Sequence, residues 1–571
     1  MGKILAYLNP YIPKMLLGLS IKFSGTIMDL LLPWILAYTI DEIVPQKNIT
    51  LILVWGIVMI ICSIAALLTN IIANRMASRV ARDTTEAVRH DLFARISYLS
   101  CRQVDEFTIP SLESRLTSDT YNIHQAVGMM QRLGVRAPIL LLGGIMVTLA
   151  LEPVLSLVLI LVLPFIALLV YFISKKGIPL YTGLQRAVDV MVRTVRENIS
   201  GIRVIKALSK TDYEKQRFSE VNAEVVKNEK KAGTTMALTN PMMNLLLNLG
   251  LTIVIIVGAY RVNSGLTQPG KIIAFLTYFT IILNAMLSIT RMFVVYSRAS
   301  ASAERICQVL DTPEDLKQEP ETHVDNGYHI TFEHVSFSYH KDKYSIEDIS
   351  FELKQGETLG IIGATGSGKS TLIRLLLRLY DADQGKIRIN GDDIRSIPQK
   401  KLHTKFGVVL QNDVLFADTI EANIDFGRGL DREQIEKAAA SAQAKEFIDS
   451  ITDGYLHMLT SKSTNLSGGQ KQRVLISRAL AAKPEILILD DSSSALDYKT
   501  DSLLRKALAG NFKNTTAIII AQRVSSIMNA DRILVLEDGK ILGYGTHEQL
   551  LQSCESYREI SMSQMGGDVV A

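Results

Sequence analysis

The sequence predicts a two-part fold: an all-α transmembrane domain of six helices with long cytoplasmic extensions, then an α/β domain of the phosphate-loop type. Three observations carry that prediction. Before about residue 300 the chain holds several apolar runs long enough to cross a bilayer. Beyond it, strand-like and helix-like segments alternate. Between the strand-like Thr358-Leu359-Gly360-Ile361-Ile362 and a helical pattern stands Gly363-Ala364-Thr365-Gly366-Ser367-Gly368-Lys369-Ser370-Thr371. It matches GxxxxGK[ST] in the strand-to-helix context that motif requires.

With 571 residues the chain exceeds one ordinary domain. Its 48% hydrophobic and 21% charged residues average over two unlike halves. A net charge of +4 is too small to point to nucleic acid, and no nucleic-acid partner is expected. Cys62, Cys101, Cys307 and Cys554 are scattered without CxxC spacing and read as packing or surface thiols. The first fifteen residues, Met1 to Met15, lack a cleavage-site pattern and read as a short amphipathic helix leading into the first span.

Residues 1–310 form the expected transmembrane domain, with spans at 16–40, 51–72, 138–151, 154–173, 242–262 and 272–295. The third and fourth are broken only at Glu152-Pro153, which reads as a tight hairpin. Lys and Arg crowd two connections: Arg75 to Arg115 after span two, and Lys175 to Lys210 after span four. The positive-inside bias therefore places both connections, and both termini, in the cytoplasm of a multi-pass protein, with a bacterial cell membrane the expected setting. Helix-compatible patterning continues through these connections, so the spans extend far beyond the bilayer. Each pair is expected to turn at a short connecting helix near 111–117 and 208–214.

Inside the first span stands Asp29, a carboxylate in an apolar run. An intramembrane charge suggests either a substrate pathway or a cationic partner, here Lys22 or Arg291, or a hydrated interior. Met242, Met243, Tyr278, Phe279, Met286 and Phe293 on the last two spans could line an apolar cavity; at helical spacing the plainer reading is packing.

A charged, Pro-containing linker at 311–327 leads to the second domain, 328–571. In the phosphate loop, Gly363, Gly366 and Gly368 let backbone N–H groups, with Ser367 and Thr371 alongside, wrap phosphate oxygens at a helix N-terminus. Lys369 would reach the outer phosphates and Ser370 would ligate Mg²⁺. The apolar run Ile486-Leu487-Ile488-Leu489 reads as a buried strand delivering Asp490 and Asp491 at its carboxyl end, where open α/β sheets bind ligands. Asp490 is the expected second anchor for Mg²⁺.

Leu466-Ser467-Gly468-Gly469-Gln470 completes the set. With it, the whole chain resembles a half-transporter of the ATP-binding cassette exporter family. That resemblance implies ATP and Mg²⁺ as ligands. It makes Tyr339 the aromatic residue that stacks on adenine, and Gln411 the glutamine that contacts Mg²⁺ and the attacking water. Asp497 closes the loop Ser494-Ala495-Leu496-Asp497 that crosses to the partner. The resemblance implies that two nucleotide domains pair head to tail, with Ser467, Gly468, Gly469 and Gln470 completing the opposite subunit's site. The connecting helices near 111–117 and 208–214 become coupling helices.

Three positions depart from the family pattern. Asp491 stands where a catalytic glutamate usually follows the metal-binding aspartate, and its oxygen falls about 1.5 Å short. Gln522 replaces the usual histidine; it donates a hydrogen bond but carries no titratable proton. The segment Thr460 to Asn465 lacks the usual acidic, glycine-rich character. Such a site is expected to bind ATP and hydrolyse it poorly beside a non-identical half-transporter carrying the consensus residues. The expected activity is export of amphiphilic or drug-like substrates from the cytoplasm or inner leaflet. Lipid or peptide export, a homodimer, and an ATP-gated regulatory membrane protein are the alternatives.

Overall fold

In the computed structural model, residues 2–339, 343–460, 463–492 and 496–565 are described. The chain divides into two compact units, one of Met1–Ser97 with Ile109–Thr312 and one of Tyr98–Thr108 with Pro313–Ala571.

The first unit is helical, with six stretches long and apolar enough to cross a membrane among the described residues. Ile49–Ser97 is a single helix of 49 residues. At 1.5 Å per residue it is about 70 Å long, more than twice the ~30 Å hydrocarbon core, so the expected extensions exist. Pro153–Ser200 is equally continuous at 48 residues. Its start explains the hairpin at the end of Thr120–Leu151: Glu152 is extended and Pro153 takes the first helical position, where a missing N–H costs nothing. Arg261 closes this turn through an ion pair with the buried Glu152 at 3.4 Å. At the turn before helix Pro269–Leu310, Asp41 accepts from the N–H groups of Gly270 (2.6 Å) and Lys271 (2.9 Å), capping that helix with a carboxylate.

One expectation about the spans changes, and a second holds for four of its six residues. Asp29 pairs with Arg136 at 3.1 Å rather than with Lys22 or Arg291, and Lys22 donates instead to Asn74 Oδ1 at 3.0 Å. The carboxylate thus has a cation supplied by the helix of the third span, because that helix continues below the apolar run and brings Arg136 alongside. Of the aromatic and methionine set, Met243, Tyr278 and Phe279 are buried in the helical core with Leu30, Leu155 and Ile282, and Met286 packs against it. Tyr278 also donates to the Leu30 carbonyl. Met242 and Phe293 remain exposed.

The connecting helices also sit differently. The segment expected at 111–117 forms helix Ile109–Ser114 and a π-turn Arg115–Asp119 within the helical unit. The helix that packs on the nucleotide-binding unit is Cys101–Phe107. A reciprocal capping box starts it: Ser100 Oγ accepts from Gln103 N–H, and Gln103 Oε1 accepts from Ser100 N–H. Ser100 and Gln103 also donate to Asp315 and to the Pro313 carbonyl, and Cys101 packs on the unit's core. The second turn comes at helix Ile202–Ala207, before Thr211–Ala237, a few residues earlier than 208–214.

The segment read as a linker is stitched to the second unit. Glu319 N–H donates to Arg395 O (2.9 Å), Val324 N–H to Gly391 O (3.0 Å), and His323 Nδ1 lies 2.8 Å from Asp392. Two sheets follow. β1 (Ile330–Phe337), β2 (Ile346–Leu353), β4 (Gln384–Ile389) and β5 (Asp392–Asp393) form an antiparallel sheet in the order β2-β1-β4-β5. β3 (Thr358–Gly363), β6 (Phe406–Val409), β7 (Ile486–Asp490), β8 (Thr516–Ile520), β9 (Arg532–Glu537) and β10 (Lys540–Gly545) form the second, in the order β10-β9-β3-β8-β7-β6. All its pairings are parallel except β10 with β9. β7 is buried along its whole length, as its apolar run requires. A separate cluster of Phe447, Val474, Ile476 and their neighbours anchors the helical part that carries Ser467–Gln470.

Candidate nucleotide site

Parallel order places the carboxyl ends of β3 and β7 on one edge with β8 between them. At that edge Gly363, Gly366, Gly368, Lys369, Ser370, Thr371, Gln411, Asp490, Asp491, Gln522 and Tyr339 line one cavity of about 770 Å³. A wider groove of about 1060 Å³ beside Gln434 and Phe512 holds none of the motif residues.

The loop leaves β3 and enters helix Lys369–Leu376 through Gly368, whose φ of +99° favours glycine. A Cβ there would lie 2.6 Å from Ile346 Cγ2 and 2.8 Å from Ser345 O. Lys369 Nζ folds back onto the carbonyls of Gly363 (2.8 Å) and Ala364 (2.7 Å). Burial lowers its pKa, with Asp490 and Asp491 opposing that shift. Ser367 Oγ is buried with no hydrogen-bond partner among the described residues, and a phosphate oxygen at this loop would satisfy it.

Ser370 Oγ donates to Asp490 Oδ2 at 3.1 Å. This hydroxyl and one carboxylate, with Gln411 on the same cavity, suit Mg²⁺, which takes one or two protein oxygens and fills its shell with water and phosphate. Bound there, Mg²⁺ would neutralise developing charge on the phosphates. Burial is also what raises the pKa of Asp490, against its hydrogen bond from Ser370.

Asp491 departs from the strand. Its φ is +51°, a left-handed conformation that aspartate tolerates better than most residues. Its N–H donates to Ile520 O at 3.0 Å, and its Oδ2 accepts from Gln522 Nε2 at 3.0 Å. Two of the three positions expected to be atypical, Asp491 and Gln522, are therefore direct partners. Burial raises the Asp491 pKa as well.

Tyr339 sits edge-on to Phe337 and to Tyr380, and its hydroxyl accepts from Arg374 Nη1 at 3.0 Å. Tyr380 in turn donates to Asp105 Oδ2 at 2.6 Å, joining the aromatic cluster to helix Cys101–Phe107.

Ser467, Gly468, Gly469 and Gln470 are not among the residues lining this cavity. Ser467 caps helix Gly468–Ala481, and Gln470 Oε1 accepts from its N–H at 2.9 Å. Asp497 caps Tyr498–Asn511 by accepting from Thr500 N–H at 2.7 Å. Ser494 and Ala495 of the crossing loop, and Ser461 and Lys462 of the departing segment, lie outside the described residues. Sequence reading missed Lys343, Tyr344, Ser345, Asp538, Gly539, Ile560 and Gln564 on the cavity wall. No local motif marks them: they arrive from three separate segments, 343–345, the β9–β10 turn at 538–539 and helix Glu555–Met565.

Fold and site together define a membrane protein carrying a phosphate-loop ATPase domain. The ABC transporter transmembrane region family matches residues 15–286, and the ABC transporter family matches residues 346–494. The chain is 34% identical over 568 residues to the "Uncharacterized ABC transporter ATP-binding protein YfiB" of Bacillus subtilis, covering 99% of each chain. It is 31% identical over 570 residues to the "Putative ABC transporter ATP-binding protein exp8" of Streptococcus pneumoniae, covering 99% of this chain and 97% of that one. A bacterial Atm1-family ABC exporter solved with ATP bound shares the fold at a TM-score of 0.83 and 24% identity, over 99% of this chain and 100% of that one. The chain belongs to the ABC transporter family and has the exporter fold, in which the ATPase domain drives transport.

Proposed function

We propose that this chain is one half of an ATP-driven exporter of amphiphilic or drug-like substrates, and that its own ATP site is the slower of two. The observation that carries this reading is the Asp491–Gln522 hydrogen bond, 3.0 Å across the mouth of the site. General-base work needs a carboxylate within hydrogen-bond reach of the attacking water. Here the carboxylate is short, and the amide that orients it carries no titratable proton. Ser467–Gln470 is intact and would complete the site of a partner with glutamate and histidine at the equivalent positions. Mg²⁺ would be held by Ser370 and Asp490, adenine by Tyr339, and the nucleotide domain would face the cytoplasm of a bacterial cell. The charge of Asp29 is met by Arg136, which favours a structural role for it over substrate contact.

The test is transport in vesicles with ATPase activity, for the chain alone and for the chain co-expressed with a neighbouring half-transporter. The asymmetric reading expects activity that depends on the pair and collapses when the partner's catalytic glutamate is removed. Full activity from the chain alone would establish the homodimer instead. ATP binding with no transported substrate would favour the regulatory reading.

A further inference from the structure

The loop that follows β8 carries Gln522: β8 ends at Ile520, Ala521 N–H still bonds the sheet by donating to Ile361 O at 3.1 Å, and Gln522 lies beyond it, before the turn that begins at Val524. There the polar backbone groups are met by a side chain from the end of helix Glu555–Met565. Gln564 Nε2 donates to Gln522 O at 2.9 Å, and Gln564 Oε1 accepts from Val524 N–H at 2.7 Å. A primary amide presents one donor and one acceptor in a plane, which suits a carbonyl and an N–H two residues apart. The helix is itself anchored. Tyr557 is buried in a cluster with Val524 and Ile527, and its hydroxyl lies 2.7 Å from His547 Nδ1. Ile560, one turn before Gln564, shares the cavity wall with it. On the loop's other side, Arg505 Nη1 donates to Ser525 O at 2.7 Å.

We propose that Gln564 is a positioning residue for this chain's nucleotide site: it fixes the loop bearing Gln522 and, through it, the Gln522–Asp491 contact. The proposal deepens the reading of the site given above and rests on it. Gln564 itself acts at one remove, through the backbone on either side of Arg523. Without it, Gln522 would still be present but would sample positions away from Asp491 and the outer phosphates.

The test uses the full chain in its assembled transporter in nanodiscs, photolabelled with 8-azido-ATP carrying α- or γ-phosphate label. The amount of α-label on this chain's gel band gives affinity; loss of γ- relative to α-label gives hydrolysis at this chain's nucleotide. Gln564→Ala should slow γ-label loss about fivefold, the worth of the one Gln522–Asp491 hydrogen bond that loosens with the loop, with half-saturation within about twofold of wild type. Gln564→Glu keeps the acceptor for Val524 but sets a carboxylate oxygen against Gln522 O, so it should be at least as slow as Gln564→Ala. Gln522→Ala should show the same slowing, and the Gln564→Ala, Gln522→Ala double variant should be no slower than Gln522→Ala alone. Three results would overturn the proposal: slowing that multiplies in the double variant, affinity and rate falling together, or a Gln564→Ala rate equal to wild type. The absolute wild-type rate tests a different point. A fast rate would remove the slow-site reading and leave these ratios interpretable.

Discussion

Replacing Asp491 by glutamate together with Gln522 by histidine should accelerate hydrolysis at this chain's own site. Glutamate extends the carboxylate by about 1.5 Å, and a misplacement of about 1 Å costs ~10²-fold in rate. That gain is not free. Residue 491 has φ +51°, and glutamate in the left-handed region costs about 1 kcal/mol more than a tolerant residue, roughly a factor of 5. The aspartate's present contact, Gln522 Nε2 at 3.0 Å, is also removed, which is why the second substitution accompanies the first. The net expectation is an increase of about 20-fold. It would be read as γ-label loss from photolabelled nucleotide on this chain's band, in the assembled transporter. An unchanged rate in the double variant would refute the reasoning, because reach and proton transfer at these two positions would then not limit the site.

Three further outcomes follow from the same geometry. Burial holds the carboxyls of Asp490 and Asp491 above the usual aspartate range, so folded chain keeps these protons to higher pH than unfolded chain. Their contribution to stability is greatest below the unfolded value and falls as pH rises through the folded one. Mg²⁺ runs oppositely: its help to nucleotide binding should fade on acidification before ordinary carboxylates titrate, while Mg²⁺-free binding changes less, as filter binding would show. Asp119 is a buried acceptor for Ser302 Oγ and Arg305 Nε, both at 2.8 Å. Asp119→Ala should lower stability by about 2–3 kcal/mol, because Arg305 is half exposed and rehydrates, and detergent thermal unfolding would measure it. Tyr380→Phe removes the 2.6 Å hydrogen bond to Asp105. Amide exchange in 101–107 should rise by about tenfold or more with sheet protection unchanged; equal protection in both proteins would count against that bond holding the helix.

Much of this molecule could be read directly from its residues. The apolar runs dictated six spans, because a bilayer accepts only segments whose backbone is satisfied internally. The Glu152-Pro153 turn, the helix after Gly368 and the buried strand ending at Asp490 were legible for the same reason: each is a local rule written in adjacent residues. Tertiary structure decided what lies between distant segments. It gave Asp29 to Arg136, a choice among several cations that no spacing encodes. It added Cys101–Phe107, seated on the nucleotide-binding unit ahead of the short helix Ile109–Ser114, although the Ser100–Gln103 capping box was a readable signal for it. Asp491 and Gln522 are separate departures in sequence and one hydrogen-bonded pair in space, brought together because β7 and β8 are neighbours in the parallel sheet. Gln564, more than forty residues beyond Gln522 and without any motif, reaches the site only because the final helix packs against the turn at Val524. Short-range chemistry thus determined the elements and the phosphate-binding groups, while sheet order and helix packing decided which groups meet.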